Sequence, residues 1–70
     1  MKLTFVGTTS DTGNCPTVYT TDRDTYVVQG ARVTDPEALA ELCRHGNGVP
    51  PHESVVEIPC ELVKFFQDQP

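Results

Sequence analysis

A helix start at Thr34–Glu37 constrains the fold more than any other feature, because it divides β-type sequence from helical sequence. The hydroxyl of Thr34 can accept from a free backbone N–H, and Glu37, three residues later, can complete a capping box. Pro36 stands where its missing N–H costs little, and the acids favour the positive end of the helix dipole. We therefore predict strands before this point and a helix after it, over about residues 35 to 44.

The sequence before the helix is rich in threonine, valine and aromatic residues. It predicts three strands, at residues 3–6, 16–20 and 26–29. The third can continue to residue 33, with Gly30 as a bulge or a point of close backbone approach. Residues 7–14 have the composition of a turn, and residues 22–24 that of a hairpin loop. Tyr19 and Tyr26 flank this hairpin and are predicted to be cross-strand neighbours.

The sequence after the helix start predicts a loop at residues 45–53, a strand at 54–58 and a final helix from Pro59 to about Gln67. Apolar residues at helical spacing are expected to face the core. In the first helix these are Leu39, Leu42 and Cys43 with Ala38 alongside, while Glu37, Glu41 and Arg44 face solvent. In the final helix they are Leu62, Val63 and Phe66, with Phe65 on the flank.

The order β-β-β-α-β-α predicts a single small α+β domain over residues 1–70. Its sheet is expected to be mostly antiparallel, with three to four strands and both helices on one face. The other face is expected to be partly exposed or covered by another chain. We assign two sets of residues to that face. The first tolerates contact with water: Thr4, Thr17, Thr20 and Thr25. The second is more stable when another surface shields it from water: Val18, Tyr26 and Val28. The candidate partner-binding residues are Tyr19, Tyr26, Val28, Phe65 and Phe66.

Charge and composition make several functions improbable. Ten acidic and five basic residues give a formal charge of −5, and the bases are scattered singly, so direct nucleic-acid binding is not expected. No apolar run follows Lys2, so we expect neither a signal peptide nor a membrane span. Three cysteines are an odd and low number, which favours a reduced cytoplasmic protein over a disulfide scaffold.

Catalytic and metal-binding patterns are weak. Cys43, His45 and His52 form the one metal-like grouping, but their spacing is not that of a zinc site. Cys15 is the most exposed candidate thiol, yet no histidine signature accompanies it. Asp22 and Asp24 are interpreted as a solvated hairpin tip. The sequence therefore predicts no catalytic residue, no metal and no cofactor.

Several short motifs together resemble a known group of proteins. They are Thr12-Gly13-Asn14-Cys15 before a strand, the charged hairpin, Tyr26-Val27-Val28, and the closing strand-proline-helix segment VVEIPCELVKFF. The chain resembles small actinobacterial proteins of unknown function that are often encoded beside helix-turn-helix regulators. The matching positions are Gly13, Asn14, Cys15, Asp35, Pro36, Pro59 and Phe66. The resemblance implies a protein that modulates a DNA-binding regulator, with no catalytic residues.

The leading hypothesis is a non-enzymatic, self-associating interaction protein that binds a transcription regulator. A second hypothesis is a metal- or thiol-dependent protein that uses Cys15, Cys43, His45 or His52. A third is an acidic decoy that occupies a DNA-binding groove directly. Steep salt dependence of binding would favour the decoy over apolar docking.

Overall fold

The structure is a computed structural model that describes residues 1–10 and 16–66 of the chain. Within this part it contains five strands, one α-helix and one 3₁₀ helix, which confirms the predicted small α+β fold. The elements are β1 (Leu3–Thr8), β2 (Thr17–Thr21), β3 (Tyr26–Gln29), β4 (Ala31–Arg32), α1 (Pro36–His45), β5 (Val56–Glu57) and a 3₁₀ helix (Cys60–Phe66).

The main sheet is antiparallel, with the strand order β1-β2-β3. The first strand extends past the predicted end at Val6, because the chain inserts one extra residue between Phe5 and Gly7 and then resumes pairing with β2. Gly7 and Thr8, which the sequence assigned to a turn, therefore belong to β1. Residues 9 and 10 of that predicted turn follow the strand, whereas residues 11–14 lie outside the described residues, as does Cys15.

The hairpin between β2 and β3 confirms the predicted loop at residues 22–24. The Thr21 N–H donates to the Thr25 carbonyl at 3.0 Å, and Asp24 has a positive φ of 62°. A three-residue loop with one left-handed residue is a common hairpin closure. This odd length pairs Thr20 with Tyr26 and Tyr19 with Val27. The prediction that Tyr19 and Tyr26 are cross-strand neighbours is therefore wrong, and their side chains lie on opposite faces.

The chain leaves the main sheet at Gly30. β4 pairs with β5 in a separate two-stranded sheet, which the Val33 N–H extends by donating to the Val55 carbonyl at 3.1 Å. A Cβ at Gly30 would lie 2.8 Å from the Glu57 carbonyl oxygen, so the predicted close backbone approach is confirmed. The fourth strand predicted at 54–58 is reduced to the two residues of β5.

Helix α1 begins one residue later than the capping box predicted. Asp35 is its N-cap, and the Asp35 carboxylate accepts from the Ala38 N–H at 2.9 Å. Proline is preferred at the first helical position, so Pro36 places the cap at Asp35 and excludes Thr34 from it. The N3 position is then Ala38 instead of Glu37, and no capping box forms.

No residue of α1 is buried, which contradicts the predicted inward stripe. Leu42 and Cys43 are exposed, and only Ala38 and Leu39 are half-buried. The expected outward residues Glu37, Glu41 and Arg44 are exposed as predicted. The physical reason is topological, since β4 and β5 pair with each other and α1 is the excursion between them. The helix therefore does not pack against the main sheet.

The 3₁₀ helix instead supplies the cover of the main sheet. Side chains three positions apart lie on the same side of a 3₁₀ helix, so Leu62 and Phe65 share one side. Leu62 is fully buried, whereas Val63 is 56% exposed. The prediction from α-helical spacing that Val63 points inward and Phe65 lies on the flank is therefore wrong. The predicted end of this helix at Gln67 lies outside the described residues.

The hydrophobic core is small. Val18 and Leu62 are the fully buried large side chains among the described residues. The accessible surface is 5564 Å², about 1200 Å² more than the scaling law for compact monomers gives for a chain of this size. The radius of gyration is 13.7 Å, against roughly 11 Å for a compact 70-residue domain. Several large apolar side chains are exposed among the described residues, including Leu3, Phe5 and Val63. Among the described residues no helix has the length and apolar character needed to cross a membrane.

Candidate functional site

One face of the main sheet is covered by the 3₁₀ helix. Register places Gly7, Val18 and Val28 side by side on this covered face, with Tyr26 and Thr20 in the next row. A Cβ on Gly7 would overlap the Phe65 ring, so the glycine allows that ring to rest on the backbone of β1. The absence of a side chain at position 7 thus permits close packing of helix on sheet.

Four of the five predicted partner-binding residues take part in this internal packing. Tyr26 and Phe66 stack with ring centroids 4.9 Å apart, and the Tyr26 hydroxyl donates to the Phe66 carbonyl at 3.2 Å. Phe65 lies over Gly7 and under the Lys64 ammonium, 5.2 Å from the ring centroid. Val28 is paired with the fully buried Val18. These side chains mainly hold the 3₁₀ helix against the sheet.

The fifth predicted residue, Tyr19, lies on the opposite face, together with three apolar residues that the sequence did not single out. We define the open face as Leu3, Phe5, Tyr19 and Val27, which register aligns across the three strands. Phe5 is 59% exposed and Leu3 48% exposed. The Phe5 and Tyr19 rings meet edge to face, with centroids 6.2 Å apart and planes at 77°. This is a preferred aromatic geometry.

The open face is uncharged. The strands β1, β2 and β3 contain no charged residue at all. The other end of this face is shielded from solvent, because Thr17 there is only 3% exposed. There the Thr8 hydroxyl donates to the Pro16 carbonyl and accepts from the Ser10 N–H. The accessible apolar area is thus concentrated near the start of β1.

Acidic groups lie at the rim of this area. The hairpin tip carries Asp22 and Asp24, and the Asp22 carboxylate accepts from the Lys2 backbone N–H at 3.2 Å. The Thr21 hydroxyl provides an acceptor for the backbone of the tip, since the Arg23 N–H donates to it at 3.0 Å. The two carboxylates are exposed. Arg23 lies between them and Lys2 lies beside Asp22, so the border of the apolar face carries charges of both signs.

The candidate metal-binding and acid-base residues lie on the surface of the part of the chain that the structure describes. No group of three His, Cys, Asp or Glu residues converges within residues 1–10 and 16–66. Cys43 and Cys60 are exposed free thiols. His45 Nε2 lies 2.6 Å from a Glu41 carboxylate oxygen, and His52 lies apart beside Glu53. The candidates Cys43, His45 and His52 are therefore surface groups of α1 and its loop, and Cys15 is not among the described residues.

A cleft of about 390 Å³ lies where the second sheet meets the main sheet. It is lined by Pro16, Gly30, Ala31, Glu57, Ile58 and Pro59. Its one ionisable lining group is the exposed carboxylate of Glu57, so the lining offers no acid-base pair. Compared with known proteins, the chain matches no family model, no curated protein and no solved structure.

Proposed function

We propose that this chain is a non-enzymatic cytoplasmic interaction protein that binds a protein partner through its open face. The observation that carries the proposal is Phe5, an aromatic side chain 59% exposed on an uncharged sheet face whose reverse side is already covered. Burying such a side chain is favourable by about 1.5–3 kcal/mol. Tyr19 beside it is of the residue type that most often dominates binding energies at interfaces.

The partner class that best fits is a helix-turn-helix transcription regulator. The resemblance of the chain to small proteins encoded beside such regulators implies this class, and the charge of the chain supports it. The formal charge is −5, and Asp22 and Asp24 border the open face. A DNA-binding protein carries basic surface, so the net negative charge of this chain would speed its association with such a partner.

The test is a titration of the chain against a purified helix-turn-helix regulator encoded beside its gene, followed by calorimetry. Tyr19→Lys places a charge at the centre of the open face and is expected to weaken binding at least tenfold. Val63→Lys is the matched control, because Val63 is 56% exposed on the far side of the molecule. If Tyr19→Lys and Val63→Lys bind equally well, the open face is not the binding surface.

A salt series separates apolar docking from the acidic-decoy alternative. Contacts between exposed charges are screened within about 10 Å at 0.1 M salt, whereas apolar burial is not. Docking through the open face therefore predicts a modest change in Kd between low and high salt, mostly in the association rate. A steep loss of affinity with salt that is the same in wild type and Tyr19→Lys would favour the decoy and overturn the proposed function.

A further inference from the structure

The outer edge of β1 is unpaired in the part of the chain that the structure describes. β1 stands at the end of the order β1-β2-β3, and no other strand among the described residues pairs with it. The Asp22 N–H donates to the Lys2 carbonyl at 3.2 Å, so position 2 faces β2. Along an antiparallel strand, the backbone N–H and C=O groups of successive residues point alternately toward one neighbour and the other. The groups of Leu3 and Phe5 therefore point sideways, away from β2. These four backbone groups form a free template for another strand.

The first half of this edge, from Leu3 to Phe5, lacks the usual protection against pairing. Exposed edges are normally blocked by a charged side chain or a proline on the strand, by a bulge, or by a covering element. β1 has the sequence LTFVGT, with neither charge nor proline. Its single irregularity is the extra residue between Phe5 and Gly7, which leaves the first half of the strand regular. The free template therefore coincides with the most exposed part of the open face.

We propose that β1 pairs with β1 of a second copy of this chain, antiparallel, about a two-fold axis through Thr4. In this register Leu3 lies opposite Phe5 of the second copy, and the two equivalent pairs exchange four backbone hydrogen bonds. The two main sheets become one six-stranded sheet. The open faces of both copies lie on the same side of it, so that Leu3 of each copy lies beside Phe5 of the other and the two open faces form one apolar surface.

A second copy fits this edge because the edge is self-complementary. A two-fold contact must match the same patch to itself, and here Leu3 meets Phe5 on both sides of the axis while Thr4 meets Thr4 at the axis. Two chains of formal charge −5 repel elsewhere, but β1 brings no like charges together.

The first test removes one outward N–H and keeps every side chain. A synthetic peptide of residues 1–14 with an N-methylated Phe5 amide is ligated to recombinant residues 15–70 at Cys15. Sedimentation equilibrium is expected to show a wild-type dimer and an N-methyl product whose dimer dissociation constant is at least tenfold higher. The unmodified ligation product is the control, and far-UV circular dichroism checks that all three are folded. A wild type that stays monomeric up to about millimolar concentration, or a methylated product that dimerises equally well, overturns the inference.

The second test addresses the register and uses side-chain variants. Phe5→Lys is expected to raise the dimer dissociation constant at least tenfold, whereas the equally exposed Val63→Lys leaves it unchanged. In a mixed-isotope dimer, the Hα protons of the two Thr4 residues should give an intermolecular NOE, because Thr4 forms the close, non-hydrogen-bonded pair at the axis. A dimer that lacks this NOE and tolerates Phe5→Lys uses another surface and overturns the inference.

This inference goes beyond the proposed function, and the two can fail separately. Tyr19 is on the central strand β2, away from the edge. Tyr19→Lys is therefore expected to weaken regulator binding while the chain remains dimeric. The N-methyl product is expected to be monomeric and still to bind the regulator.

Discussion

Gly7→Ala is the substitution that most directly tests which face of the main sheet is covered. Gly7 is buried in β1, and a Cβ there would overlap the Phe65 ring. Inserting a carbon atom into a packed contact costs about 1–3 kcal/mol. Folded domains of this length have a free energy of unfolding of roughly 4–10 kcal/mol. Gly7→Ala should therefore lower the free energy of unfolding by an amount that is large but measurable.

The same substitution should behave differently once the ring is removed. The φ of Gly7 is not in the positive region, so alanine fits the backbone there. At such positions Gly→Ala stabilises by about 0.4–1 kcal/mol, because the unfolded chain loses freedom. In a Phe65→Ala background, Gly7→Ala is thus expected to be neutral or stabilising. The coupling energy between the two sites should be about 1.5 kcal/mol or more.

The assay is urea unfolding followed by far-UV circular dichroism on the four proteins of this double-mutant cycle. Gly46→Ala is the matched control: Gly46 has an extended φ of −165°, and the nearest atom to its added Cβ is the Leu42 carbonyl oxygen at 3.8 Å. It should not lower stability. If Gly7→Ala costs the same with and without the Phe65 ring, the 3₁₀ helix does not cover that face. It would then be wrong to assign the open face to Leu3, Phe5, Tyr19 and Val27.

Two further pairs of variants test the core and the helix cap. Leu62→Ala removes a fully buried side chain and should lower the free energy of unfolding by about 2–5 kcal/mol. Val63→Ala, at a position 56% exposed, should change it by about 0.5 kcal/mol or less. Similar urea midpoints for the two variants would contradict the 3₁₀ assignment. Asp35→Ala removes the cap of α1 and should cost about 1 kcal/mol of helix stability, while Thr34→Ala should be silent. Because α1 buries no residue, we expect this loss to appear as a weaker circular dichroism signal at 222 nm well before global unfolding. An equal effect of Thr34→Ala would show that Thr34 caps the helix after all.

Local sequence preferences predicted the order of elements well. Pro36, with Asp35 before it and Glu37 after it, located the start of α1 to within one residue, because proline tolerates few other helix positions. The hairpin at residues 22–24 was predicted from its turn residues, although the left-handed residue proved to be Asp24 and no glycine was needed. Gly30 was correctly predicted as a close approach. The helix start and the hairpin depend on the backbone within a few residues, whereas the close approach at Gly30 is to Glu57, far away in the sequence.

The faces of the sheet were predicted less well. Tyr19 was grouped with Tyr26 because both flank the hairpin, but the three-residue loop places them on opposite sides. A change of one residue in loop length reverses every side chain of a strand relative to its neighbour. Alternation in β1 does put Leu3 and Phe5 on one side, and this pattern could have identified half of the open face. Which side would be covered depended on contacts with residues 60–66, far away in the sequence.

The amino-acid sequence by itself determined the strands, the hairpin and the start of α1, because these follow from propensities and turn chemistry that act over a few residues. Only the tertiary structure decided that the last helix winds as a 3₁₀ helix, that Gly7 receives the Phe65 ring, and that α1 lies off the main sheet. These outcomes depend on packing between distant segments, in which a shift of one residue or a period of 3 in place of 3.6 selects the buried side chains. The open face is what that packing leaves uncovered.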